Sequence, residues 1–112
     1  MEIIITEFDD ASKRVTLIGK LDIAGAGKIE LPLATVAGSR KNVVVDMVGV
    51  DFIASIGIRH LVIAAKTVSR ANGKFLLFNP TPLVTEVLVT AGLEQMLPIV
   101  RSEDEVLAAL RG

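Results

Sequence analysis

Apolar residues along this chain switch repeatedly between a period of two and a period near 3.6, and the switches mark its elements. Glu2 to Phe8 carries an isoleucine run of high strand propensity. Asp9, Asp10 and Ala11 make a turn, and Arg14-Val-Thr-Leu-Ile-Gly alternates as a second strand. The short polar connection predicts an antiparallel hairpin. Ala24 to Ala37 predicts a helix with Ile29, Leu33 and Val36 on one side, while Pro32 inside it predicts a kink or a later start. Asn42 to Asp46 is a β-branched run, the pattern of a strand buried on both faces. Ser55 to Ala71 is the clearest helix, and Asn72-Gly73 stops it. Lys74 to Phe78 is another strand, and Asn79-Pro-Thr-Pro breaks the chain before a short helix from Leu83 to Ala91, ended by Gly92. Leu97 to Val100 is a brief strand that Pro98 confines to an edge or a start. Ser102 caps a last helix through Leu110, with Glu105 completing a capping box. The order β-β-α-β-α-β-α-β-α predicts an α/β fold with a mixed sheet of about five strands and about four helices. Residues 1–112 read as one such domain, with no repeat, linker or low-complexity segment.

Composition narrows the functions open to that fold. The chain is 51% hydrophobic and 22% charged, enough apolar surface to pack a core. It has no cysteine, which excludes disulfides and thiolate metal sites and is compatible with the cytoplasm. Twelve basic and 13 acidic residues give a net charge of −1, so no overall basic field is available for nucleic acid. Tyr and Trp are absent, and the four Phe look buried, which leaves little to stack on bases. No apolar run approaches the ~20 residues of a membrane span, and MEIIITEF is too short and acidic for a signal peptide. A soluble cytoplasmic domain is expected.

Ser55 stands where the apolar strand VVVDMVG gives way to the helix. Serine is a favoured N-cap, and that is the plain reading of it. The helix face argues for more. At ~100° per residue, Ile58, Leu61, Val62, Ala65 and Val68 share one side and should cover the sheet. Arg59, Lys66 and Arg70 make a basic flank, and Ile56, His60, Ile63 and Thr67 lie nearly opposite the core stripe. A row of apolar residues aimed at water beside a modifiable hydroxyl reads as a partner surface.

Catalysis finds less support. The only histidine, His60, follows Ser55 by five residues on the same helix, about a turn and a half away and on another side. A Ser–His nucleophile pair is therefore not expected. Asp46 and Asp51 would bracket a loop at the end of a strand, but two carboxylates are few for a metal site. Ala24-Gly-Ala-Gly-Lys lacks the spacing and hydroxyl of a P-loop. No enzyme, cofactor or metal is expected.

The run VVVDMVGVDFIASIGIRHL resembles the signature of the STAS domain, the family of bacterial anti-sigma factor antagonists and sulfate-transporter tails. Gly19-Lys-Leu-Asp-Ile looks like that family's G-E-[IL]-D loop, and Phe78-Asn-Pro and Val87-Leu-x-Thr-Ala-Gly-Leu look similar to its later segments. The resemblance implies that Ser55 is phosphorylated by a partner that is both serine kinase and anti-sigma factor, with a histidine-kinase-like ATPase fold. It implies that unmodified chain captures this partner, that phosphorylation of Ser55 releases it, and that a metal-dependent serine phosphatase resets the switch. Asp22, Ile23, Ala54, Ile56, Gly57, Arg59, His60 and Ile63 are the residues expected to meet the partner. Two positions depart from the family pattern: Ala54 stands where an Asp is usual, and Ile56 where Ser or Thr is usual. The alternative implied by Ala54 is an unphosphorylated STAS subunit supporting a lipid-transport ATPase or a signalling assembly. Neither reading requires nucleic acid or membrane insertion.

Overall fold

The computed structural model describes residues 1–112. β1 (Glu2–Asp9) and β2 (Ser12–Leu21) form the expected hairpin. There follow α1 (Ile23–Ala37), β3 (Asn42–Ile53), α2 (Ser55–Arg70), β4 (Phe75–Phe78), α3 (Pro82–Thr90), β5 (Ile99–Val100) and α4 (Glu103–Arg111). The predicted order of elements is the observed one. The five strands lie in the order β1-β2-β3-β4-β5, with only the β1–β2 pair antiparallel.

That order fixes where the helices go. Parallel neighbours joined by right-handed crossovers, always stepping the same way across the sheet, send every crossover helix to the same face. Val15, Leu17, Val43, Val45, Met47 and Leu77 on that face form one core with Ile29 and Leu33 of α1, Leu61 and Val68 of α2, and Val84 and Leu88 of α3. The opposite face is served by α4 alone, where Val106 packs on Val44, Leu76 and Val100. β3 is thus buried on both faces over Val43 to Val45, as its unbroken apolar run predicts.

Three details differ from the sequence reading. β3 does not end at Asp46 but continues to Ile53, because β2 stays beside it through Leu21↔Ile53 across two register shifts. Asp46 and Asp51 are therefore strand residues, each near a cation: Asp46 Oδ2 is 3.7 Å from Arg14 and Asp51 Oδ2 is 3.9 Å from Lys20. They do not bracket a loop, and a sheet order without reversal also lacks the crevice in which α/β folds bind ligands. Pro32 neither ends α1 nor delays it; the helix starts at Ile23 and runs through the proline. β5 is only Ile99–Val100, with Pro98 just outside it. No helix is long and apolar enough to cross a membrane.

Candidate functional site

β2 and β3 end side by side, and each gives way to a helix within two residues. Asp22 caps α1, its Oδ1 accepting the Gly25 N–H at 2.8 Å. Ala54 holds the corresponding position at α2 and has no side-chain acceptor to offer. Its N–H donates instead to the Leu21 carbonyl at 2.9 Å, which ties the start of α2 to the end of β2.

Two glycines permit this closeness. A Cβ on Gly25 would lie 2.1 Å from the Lys20 carbonyl oxygen, so α1 can begin here only without a side chain. A Cβ on Gly57 would lie 2.6 Å from Leu21 Cγ, a side chain that is itself fully buried. The sequence expectation placed Gly57 among partner contacts. It is buried, and it lets the first turn of α2 settle onto β2. The first glycine of the Ala24-Gly-Ala-Gly-Lys stretch has a packing role too.

Ser55 is the first residue of α2 and not its cap, so the capping reading of its hydroxyl does not hold. It is exposed, and its Oγ makes no hydrogen bond with the protein. The Ser55 and Ile56 N–H groups have no backbone acceptor, as the first turn of any helix leaves them. The first turn contains no acidic residue. An uncommitted hydroxyl thus sits at the positive end of a helix dipole.

Apolar residues surround this end of the molecule. Ile23 is 80% exposed and Phe52 42%, and about two turns along α2 Ile63 is 48% exposed. Ile56 and His60 are half-buried, and Arg59 is exposed without an ion pair. Phe52 corrects the expectation that every phenylalanine is buried; its place beyond Asp46, in the part of β3 not foreseen, hid it. On the core side of α2, Ala64 joins Leu61, Ala65 and Val68, while Ile58 and Val62 are only partly buried. His60 lines a groove between α1 and α2 that does not include Ser55.

The model of the STAS domain matches residues 3–106. The chain belongs to the STAS domain family. A protein of Bordetella bronchiseptica named "Putative anti-sigma factor antagonist BtrV" is 30% identical over 96 residues, 85% of this chain and 83% of that one. Among solved structures, an anti-sigma factor antagonist from Mycobacterium paratuberculosis superposes with a TM-score of 0.87 at 21% identity, covering 99% of this chain and 94% of that one. The antagonist SpoIIAA in its unphosphorylated form gives 0.80 at 19% identity, covering 99% and 97%. At such identities the two structures establish the STAS fold of this domain, with its mixed sheet and four helices, and nothing finer.

Proposed function

We propose that this STAS domain is an anti-sigma factor antagonist: it captures a serine-kinase anti-sigma factor and lets it go when that kinase phosphorylates Ser55. One observation carries the reading. An exposed serine hydroxyl with no partner of its own opens α2, where β2 and β3 end with exposed Phe52 and Ile23 close by in the chain, and exposed Ile63 follows about two turns along the helix. A kinase can reach such an oxygen without unfolding anything, and the apolar side chains give it a surface to hold. BtrV bears an antagonist's name, and SpoIIAA is described both unphosphorylated and phosphorylated, which supports assigning a phosphorylation switch here.

The energetics fit a switch. Phosphorylation adds about −1.5 to −2 charge and three strong acceptor oxygens. The free N–H groups of Ser55 and Ile56 and the guanidinium of Arg59, one turn along, favour that anion in the free chain. In the complex the dianion must lose its water against an apolar contact, which costs several kcal/mol. Each ~1.4 kcal/mol is tenfold in affinity, so one phosphate suffices for release. A metal-dependent serine phosphatase would restore the capturing form. ATP belongs to the kinase, and the pair would act in the cytoplasm.

Intact-mass measurement after mixing the chain with ATP and its kinase partner tests this directly. One added phosphate is expected in the native chain and none in Ser55→Ala. Stable association with a transport ATPase and no modification would favour the accessory-subunit reading instead. At the surface itself, Ile63→Asp should weaken capture at least tenfold with an unchanged circular dichroism spectrum, because it puts a charge in the apolar contact. Native affinity in a folded Ile63→Asp variant would put the contact elsewhere.

A further inference from the structure

The face formed by α1 and α2 extends well beyond Ser55. A cavity of about 120 Å³ lies between the two helices, lined by Leu33, Ala34, Ile63 and Ala64 with His60 and Thr67. It is smaller than the ~150 Å³ that accommodates a benzene ring, so it suits one aliphatic side chain. From the shared Thr67 a second depression of about 230 Å³ continues to the far ends of both helices, where Arg40 and Arg70 line it.

Charge gives the occupant its chemistry. α2 contains no Asp or Glu, and Arg59, Ile63, Lys66 and Arg70 fall within ~60° of one another on its outer side. None of Lys28, Arg40, Arg59, Lys66 or Arg70 forms an ion pair within the chain. Glu30 is the lone acidic residue of the two helices and lines the smaller cavity, so negative groups on a partner are accommodated at the arginine end. Ser55 to Arg70 spans ~22 Å along the helix at ~1.5 Å per residue. A standard interface covers ~800 Å² per partner, roughly 30 Å across, and takes in both ends.

We infer that the α1–α2 groove is the far half of the surface that holds the kinase, receiving from it one aliphatic side chain with carboxylates set against Arg40 and Arg70. The inference rests on the antagonist reading. It makes the surface two-ended: phosphorylation acts at Ser55, while the groove gives a contact that phosphate does not touch.

Calorimetry with the purified kinase tests it. Ala34→Phe, which fills the smaller cavity from an exposed position, and the pair Arg40→Gln with Arg70→Glu should each raise Kd at least tenfold. The arginine pair should also flatten the salt dependence of binding. In a Ser55→Glu background each should weaken residual binding by a similar factor, as independent sites do. Native Kd in both variants, with native circular dichroism and intact Ser55 phosphorylation, overturns the groove contact and leaves the antagonist reading standing. Failure of the native chain to bind the kinase removes that reading and this one with it. Loss of duplex DNA or anionic-vesicle binding in the arginine variant, with kinase affinity unchanged, assigns the basic face to another occupant and likewise overturns the inference.

Discussion

At the scale of single residues, the start of α2 offers two substitutions, at Gly57 and Ala54, with opposite expected effects. Gly57→Ala introduces a methyl where Leu21 Cγ would be 2.6 Å away, so Leu21 or the helix must shift. Overpacking of this kind costs about 1–3 kcal/mol, although alanine is the better helix former. A lowered midpoint in urea unfolding checks it, and unchanged or raised stability would show that Leu21 yields freely. Ala54→Asp should do the reverse. It supplies the acceptor missing at the N-cap, worth about 1 kcal/mol, and a melting temperature higher by roughly 4 °C is expected. The sequence marks both positions as unusual, a glycine in a helix and an alanine at its entry. It does not reveal that Leu21 sits against Gly57, since that contact joins two segments only the fold brings together.

At the scale of an element, α4 is the clearest case of a helix held by side chains from elsewhere. Its N-terminus was legible: Ser102 Oγ accepts the Glu105 N–H at 3.2 Å. The return half of the box is shifted, with Glu105 Oε2 accepting from the Arg101 N–H at 3.3 Å. Val106 docks the helix on the sheet, and Arg14 of β2 ties down its first residue. Its Nη2 donates to both carboxylate oxygens of Glu103, at 2.8 and 2.9 Å, and its guanidinium lies 5.5 Å from the Phe8 ring and 5.2 Å from the Phe78 ring. Each cation–π contact is worth about 0.5–1 kcal/mol and the ion pair somewhat less. Arg14→Ala should therefore cost about 1–2 kcal/mol and speed hydrogen exchange at residues 106–111 ahead of the sheet. Equal protection of α4 in that variant would mean that Val106 packing alone secures it. Periodicity cannot find this arrangement, because Arg14 alternates as any outward strand residue does.

For the whole molecule, the issue is how far a phosphate on Ser55 is felt. The helices on the α2 side share one continuous core with the sheet, and Ser55 lies outside it with no bond to lose. Phosphorylation should then shift backbone amide resonances near residues 20–26 and 51–60 and leave β4, β5 and α4 unmoved. Changes spread through the domain would replace local repulsion with refolding as the mechanism. The same scale explains the charge pattern. A net charge of −1 conceals an α2 without acids and an α4 whose first turn holds Glu103, Asp104 and Glu105.

The chain's own order of residues determined the sequence of strands and helices, the hairpin, the buried run of β3, and the candidacy of Ser55 on a helix whose Ile63 faces outward, although Ile56 proves half-buried. These follow from local rules of period, propensity and turn chemistry, which act over a few neighbours. Only the tertiary structure decided that β3 runs on past Asp46, that Phe52 is exposed, that Ser55 is not a cap, and that α1 and α2 leave a groove between them. Each of those depends on what lies across the sheet or beside the helix, and pairing between distant segments is set by packing.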